Sequence, residues 1–378
     1  MYSIDEYAAM FADPVRGAVY LAAIRDTVRA GCVVADIGAG PGVLGVYAAM
    51  LGARRVFLVE PDPIVEAAIA LARENGVLDR IEIIRGLSTE ITLPERAHVI
   101  VSDLRGVLPL FGDHLRAAAD MRQRHLAPGG ICAPLRDVLF CALVEDEEMH
   151  ARSVGGWSRL PDAMHHESLT ELVTNRWYRT RATAGQMLTN AAAWLSIDYA
   201  QPAPSLDGQW SAVALRDGIA HGMLVWFDTE VTQGNGLSNA PGAPRALYGQ
   251  AFFPFREPFR LLAGDAVSGR HRAVNAGEEH AWTWSAEVRR DGQLIASASH
   301  STLRGTVLPA SALRRRNASF VPHRAPEADV LRMLLDAVDG QHDLAALAAL
   351  LHDGHPGRFP TLHDALNYVA GLEHLWLE

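Results

Sequence analysis

The sequence predicts an α/β domain built on a doubly wound parallel sheet, then an antiparallel β-barrel-like domain, then a small helical C-terminal domain. Three observations carry this prediction. Residues 33–45 read as an apolar strand, a turn with glycine at positions 38, 40 and 42, and the start of an apolar stretch at helical spacing. Strand-like and helix-like segments then alternate as far as about residue 144, the pattern of a parallel sheet with crossover helices. From Ala192 the apolar stretches are short, alternate with polar residues, and are separated by turn signals such as Asp217-Gly218 and Asp291-Gly292, which favours antiparallel pairing.

Taken in order, residues 7–29 predict helix in one or two pieces, Tyr7–Phe11 and Val15–Val28, with Asp13 as cap and Pro14 in the first turn. Val33–Ile37 predicts a strand, Gly42–Leu51 a helix, Val56–Val59 a strand and Ile64–Asn75 a helix. Ile81–Arg85 and Val99–Ser102 predict strands, Leu115–His125 a helix and Val138–Val144 the last strand of this series. Asn75-Gly76 and Pro128-Gly129-Gly130 punctuate it. Residues 151–185 carry helical and polar signals, with Trp157, Trp177 and Tyr178 and no strand period. The later strands are Trp194–Tyr199, Trp210–Ala214, His221–Phe227, Ala251–Phe253, Trp282–Val288 and Leu294–Ser299. Thr232–Pro244, rich in glycine and asparagine, predicts a loop. Arg314–Arg316 reads as the end of a sheet and the start of a linker. Helical spacing returns at Val330, Leu331, Leu334, Leu335 and Val338, at Leu344–Leu351 and at Leu362–Leu372. The expected boundaries are 1–148, 149–312, a linker at 313–328, and 329–378.

The 378 residues carry a formal charge of −10, with 49% hydrophobic and 21% charged residues. Such a chain buries a large core. The negative balance argues against a general nucleic-acid binder and suits a cationic substrate. Cys32, Cys132 and Cys141 lack paired spacing and lie in or beside apolar runs, as buried reduced thiols do. No apolar run reaches about 18 residues and the N-terminus has no signal-peptide core, so a cytoplasmic protein without a membrane partner is expected. No metal is expected, because His165-His166 diverge and His280, His300 and His323 are far apart. Ser102 has no His/Asp constellation for hydrolysis. His114 reads as a solvated histidine at a helix start, with a role as base the rarer reading.

The chemistry centres on the glycine turn. Glycine is required where backbone takes positive φ or lies directly against a ligand. The helix after it presents free N–H groups and a positive dipole end, where an anion is welcome. Gly40–Gly45 fits Gly-x-Gly-x-x-Gly, so the pattern alone leaves a dinucleotide open. Two residues favour a different ligand. Asp36, two residues before the first glycine, stands where an ammonium group would meet it. Glu60, at the end of the strand Arg55–Val59, stands where a ribose diol would. A ligand with an amino-acid end and a ribose is S-adenosylmethionine, and the stretch resembles the cofactor site of Rossmann-like class I methyltransferases.

Residues 2–150, and more loosely 190–305, resemble the protein arginine methyltransferases. Tyr7 and Met10-Phe-Ala-Asp13-Pro-Val-Arg16 are similar to their N-terminal Asp-x-Val-Arg helix, and Val33–Leu44 to their first motif. Val59-Glu60 matches the ribose-binding acid, Ile83–Glu90 the segment facing the adenine, and Val99–Ser102 the strand leading to the active-site loop. Leu126–Ile131 matches the turn after that loop. Val225–Asp228, Gly249–Pro258 and Gly292-Gln293-Leu294 resemble parts of the barrel half. The resemblance implies S-adenosyl-L-methionine as cofactor, with Arg16 on its carboxylate and Met10 at its sulfonium. It implies Asp36, Gly38, Gly40, Glu60, Pro61, Ser88 and Thr89 as the other contacts. It also implies a homodimer, through a dimerisation arm near 150–185.

The acceptor end departs from that family. Its members carry two glutamates nine residues apart that hold the guanidinium, neutralising it and polarising the attacking nitrogen. Here the first glutamate becomes Asp103, the second becomes Gly112 with Asp113 beside it, and Arg105 lies between them. The family's Thr-His-Trp loop reads Arg245-Ala246-Leu247-Tyr248. Three readings stay open. Asp103 and Asp113 form a clamp by a register shift, or Arg105 binds an acidic part of a different substrate, or Arg105 is simply the ion partner of Asp103. Asp103, Asp113 and Arg105 are thus the catalytic candidates. The expected function is S-adenosylmethionine-dependent methyl transfer to a different or modified acceptor, a nitrogen or oxygen of a peptide or small molecule. The alternatives are a true arginine or guanidine N-methyltransferase using Asp103 and Asp113, and a cofactor-binding scaffold that has lost transfer. Leu334–Gly340, Asp343–Leu351 and Phe359–Ala365 resemble small three-helix peptide-binding domains, which implies a leader peptide or partner protein at 329–378, and the alternative is a helical cap that covers barrel surface.

Overall fold

In the computed structural model, residues 2–110, 112–161, 164–201, 206–276, 280–307 and 309–372 are described. The chain forms two compact units, Met1–Val307 and Leu308–Glu378.

The first unit begins with two capped helices. In α1 (Ile4–Ala12), Ser3 and Glu6 close a reciprocal capping box. In α2 (Pro14–Thr27), Asp13 Oδ1 accepts from the backbone N–H groups of Val15 and Arg16. The alternating series follows as β1 (Val33–Ile37), α3 (Val43–Met50), β2 (Arg55–Glu60), α4 (Ala67–Glu74), β3 (Ile81–Arg85), β4 (Ala97–Ser102), α5 (His114–His125) and β5 (Leu126–Ala133). The five strands pair in the order β3-β2-β1-β4-β5, all parallel. β1 is buried along its whole length. The chain leaves it first toward β2 and later returns to its other side with β4. A crevice opens at such a switch point, outside the carboxyl ends of the strands. Ile37, Glu60 and Ser102, the last residues of β1, β2 and β4, therefore frame one place.

The antiparallel part holds β6 (Arg136–Val144), α6 (Glu147–Ser153), α7 (Glu167–Thr174), β7 (Tyr178–Thr180), β8 (Ala192–Asp198), β9 (Asp207–Val213), β10 (Gly218–Thr232), β11 (Asn235–Ser238), β12 (Gln250–Leu261), β13 (Ala266–Asn275), β14 (His280–Arg290) and β15 (Gln293–Ser301). One sheet runs β7-β12-β10-β6-β8 with β11 on β10, and the other runs β15-β14-β13-β9. They share one apolar core that includes Leu139, Val225, Phe253, Trp210 and Trp284. Two expectations change. Val138–Val144 does not close the parallel sheet, because β6 pairs antiparallel with β10 and β8. A strand buried on both sides reads the same in either kind of sheet. Within Thr232–Pro244, Asn235–Ser238 folds back on β10 as a hairpin whose turn uses Gly234 at φ 73°.

The second unit holds α8 (Ala310–Arg315), α9 (Pro326–Asp336), α10 (Leu344–Gly354) and α11 (Leu362–Ala370). α8 lies across the residues expected to open the linker. The last three helices bury Val330, Leu334, Leu347, Leu351, Ala365 and Val369 against one another. Among the described residues no helix is long and apolar enough to cross a membrane.

Candidate active site

After β1 the chain turns with Gly38, Gly40 and Gly42 at φ 67°, 52° and 76°, a conformation that costs an ordinary residue about 1–2 kcal/mol. Space is also short at two of them. A Cβ on Gly38 would run into Leu104, and one on Gly40 into the ring of Tyr7. Gly42 caps α3 without a side chain. The first-turn N–H of Gly45 is taken by Asp36 Oδ2 at 2.9 Å. Asp36 thus braces the start of α3 from inside the protein, and burial pushes its carboxyl up to about 7.

At the end of β2, the Glu60 carboxylate accepts from the backbone N–H of Gly40 on one oxygen and of Asp62 on the other, each at 3.0 Å. A carboxylate fixed in this way still has lone pairs for a diol. Arg16 is buried on α2. Its Nε donates to Asp103 Oδ2 at 2.5 Å and its Nη1 to the carbonyl of Met10 at 3.4 Å, which leaves Nη2 without a partner among the described residues. The segment expected at the adenine is pinned by Arg124 of α5, which donates to the carbonyls of Ser88 and Ile91 at 2.8 and 2.7 Å. Ser88 is buried and Thr89 half-buried, while Pro61 is exposed, with its carbonyl accepting from Arg85. The donor set fits S-adenosylmethionine: bare backbone at a helix start, a fixed carboxylate, and a guanidinium with one end free.

The loop after β4 is the centre of a buried polar network. Asp103 Oδ1 accepts from Arg105 Nε at 3.1 Å. Its Oδ2 accepts from Arg16 and from the Tyr248 hydroxyl at 2.7 Å. The Arg105 side chain has no exposure at all. Its Nη1 donates to Asp137 Oδ1 of β6 at 3.0 Å and to Thr229 Oγ1 of β10 at 2.6 Å, and its Nη2 to the Tyr20 hydroxyl. Tyr199 donates to Asp137 Oδ2 at 2.5 Å, and His114 Nε2 lies 2.7 Å from the Tyr199 hydroxyl. Two carboxylates thus face two guanidiniums. Burial alone would raise the Asp103 carboxyl, but Arg105 and Arg16 hold it below its usual range. Burial, with Arg105 nearby, lowers His114 to about 4.

Of the three readings of Arg105, the geometry is that of an ion partner of Asp103, extended to Asp137. Asp113 is not brought to this cluster. It lies half-exposed at the start of α5, accepts from Asn275 at 3.0 Å and stands 3.7 Å from Arg116. His114 is buried, not solvated, because α5 packs it beneath Tyr199. In the segment Arg245–Tyr248, which lacks the histidine expected from the resemblance, the Leu247 N–H donates to Asp13 Oδ2. Tyr20, Asp137, Tyr199 and Thr229 went unnoticed in the sequence, and Tyr248 was noted only as part of the segment Arg245–Tyr248. Asp137 lies just before the apolar run Val138–Val144, next to Arg136, where an acid is unremarkable. Among the described residues no group of three or more His, Cys, Asp or Glu is arranged to hold a metal.

Comparison with known proteins finds matches in both parts of the first unit. A family model described as the arginine methyltransferase oligomerization subdomain matches residues 136–284, and one for ribosomal protein L11 methyltransferase matches residues 17–132. The chain is 26% identical over 286 residues to protein arginine N-methyltransferase 1 of Schizosaccharomyces pombe, covering 71% of this chain and 83% of the relative. It is 24% identical over 283 residues to that of Dictyostelium discoideum, with the same coverage. It shares its fold with a chain of the Trypanosoma brucei PRMT1 enzyme–prozyme complex with AdoHcy, at TM-score 0.72 and 22% identity, over 79% of this chain and 98% of that one. Arabidopsis thaliana protein arginine methyltransferase 10 gives TM-score 0.70 at 18% identity with the same coverage.

Proposed function

Because the chain is a class I S-adenosylmethionine-dependent methyltransferase resembling the protein arginine methyltransferases, we propose that its acceptor is a nitrogen or oxygen nucleophile of a peptide or small molecule, other than a guanidinium held between two acids. The observation that carries this reading is the saturation of Asp103. Both of its oxygens already accept hydrogen bonds, and two cations already match its charge. A guanidinium acceptor needs a carboxylate free to take two of its N–H groups. An amine or hydroxyl reacting as the neutral species does not.

The cofactor supplies an electrophilic sulfonium methyl. The chain's own residues bind and align. Glu60 takes the ribose, Arg16 the carboxylate through Nη2, and Gly38 and Gly40 allow close backbone approach. Met10, Asp36, Pro61, Ser88 and Thr89 are the remaining contacts in this reading. Tyr7 and Leu104 cover the turn and keep water from it. The acceptor enters over the end of β4, beside Asp103 and Tyr248, and its proton leaves to water.

Calorimetry with S-adenosylhomocysteine tests the cofactor site; no heat of binding, unchanged by Glu60→Ala, sinks the reading. A second reading, methylation of peptidyl arginine, is favoured by the names of the relatives and requires Arg105 to leave Asp103. Turnover of a labelled methyl donor on arginine-rich peptides and on small amines separates the two. Arginine turnover lost in Asp103→Ala favours the second. Within the arm near 150–185, Trp157 and Met164 are exposed and face the second copy of the chain. Sedimentation that finds only monomer overturns that assignment.

A further inference from the structure

A groove of about 520 Å³ lies on the antiparallel part, walled by Arg152, Arg179 and Arg181 and by the acids Asp146 and Glu148. Its basic side is organised around the segment Arg245–Tyr248. Arg179 donates to the carbonyl of Leu247, and Arg181 to the carbonyls of Ala246 and Leu247 at 2.7 and 3.0 Å. Arg245 begins the same segment and is exposed. Arg181 feels both neighbours, since burial first and then Arg245 and Arg179 lower its pKa, with only Asp13 opposing. Among the described residues, Arg152, Arg179, Arg181 and Arg245 form no ion pair. Two guanidiniums, those of Arg179 and Arg181, are thus held side by side by neutral carbonyls, with N–H donors left over and the Arg245 charge close by. Gathering like charges in this way is unfavourable until an anion arrives. Of the two acids, Asp146 is committed to the cap of α6 through Met149 N at 3.0 Å, and Glu148 is exposed on the first turn of that helix.

The groove also connects to the acceptor loop. The peptide of Leu247 gives its carbonyl to Arg179 and Arg181 and its N–H to Asp13, and the next residue, Tyr248, reaches Asp103. β7, which carries Arg179, is the outermost strand of its sheet, and an extended chain can lie along such an edge. We propose that this groove binds an acidic segment of a peptide acceptor, its carboxylates pairing with Arg179, Arg181 and Arg245, and that the segment Arg245–Tyr248 sets how far that anchor lies from the methylated atom. This rests on the methyl-transfer reading with a peptide as acceptor. The net charge of −10 repels an acidic peptide over the surface at large, so the groove confers selectivity as well as affinity.

The test is fluorescence anisotropy with short labelled peptides rich in Asp and Glu, matched against peptides rich in Arg and against neutral ones, at low and high salt. The wild type is expected to prefer the acidic peptide and to lose that preference as salt rises. Arg179→Glu with Arg181→Glu is expected to weaken acidic-peptide binding by about tenfold or more. Arg245→Glu, at an exposed position, is expected to do so in part with the thermal melt unchanged. An acidic peptide that binds all forms equally overturns the proposal. So does preference for the Arg-rich peptide, or reversals that change only the association state in sedimentation, which would make the groove a contact between copies. Calorimetry with S-adenosylhomocysteine on the same samples keeps the two readings apart. Peptide binding without cofactor binding sinks methyl transfer and leaves the groove standing.

Discussion

Replacing His271 with leucine tests how the antiparallel core is held together. His271 lies on β13 with ring centroids 4.9 Å from Trp194, 6.2 Å from Trp210 and 5.8 Å from Phe253. It is fully buried, and neither ring nitrogen has a hydrogen-bond partner among the described residues. Burial pushes its pKa down from 6.5 to about 3. A group depressed in the folded state contributes stability that is present above its unfolded pKa and is lost as pH falls toward its folded pKa. Near pH 5 the unfolded histidine is almost fully protonated while the folded one is still neutral. At about 1.4 kcal/mol per pH unit, His271 therefore costs the native state about 2 kcal/mol between about pH 7.5 and 5. His114 and His300, each lowered to about 4 by burial, add to the total acid sensitivity but cancel when wild type and variant are compared. The assay is urea unfolding followed by tryptophan fluorescence at the two pH values. His271→Leu is expected to lose about 2 kcal/mol less than wild type on acidification. At about pH 7.5 it should stay within about 1 kcal/mol of wild type, because the imidazole it removes had no hydrogen bonds to lose. Equal acid losses in the two proteins would falsify the account, since His271 would then be able to take up its proton inside the fold.

Glu60→Gln is expected to weaken S-adenosylhomocysteine by about ten- to a hundredfold, the scale of one hydrogen bond to a charged group; calorimetry with unchanged affinity contradicts the ribose assignment. Asp36, held near 7, ionises as pH rises, and only the ionised form attracts the ligand's ammonium. Affinity should therefore climb by about tenfold from about pH 6 to 8 in wild type and stay flat in Asp36→Asn. Asp137→Asn leaves Arg105 short of a buried counter-charge and should cost about 3–5 kcal/mol in a denaturant melt. Joining Asp137→Leu to Arg105→Met should recover most of that loss, and a single-variant cost below about 1 kcal/mol refutes the pairing.

The glycine turn was legible in the sequence. Positive φ at a tight turn selects glycine wherever it occurs, so Gly38, Gly40 and Gly42 announced the turn before any coordinates. Asp13 and Pro14 likewise marked the start of α2. The strand Val138–Val144 was legible as a strand but not as a member of a particular sheet, because an apolar run carries no record of its partners' direction.

The sequence by itself determined what depends on neighbours along the chain: where the strands and helices around the glycine turn begin, that a helix start faces that turn, and that Glu60 closes the next strand. Only the tertiary structure decided the buried network around Asp103. Arg105 meets Asp137 across 32 positions, Tyr20 across 85 and Thr229 across 124, and Asp103 meets Tyr248 across 145. No local pattern encodes such pairings. They form because α2, the loop after β4, the strands β6 and β10 and the segment before β12 carry these side chains to one buried place, where an unpaired charge is too costly to keep.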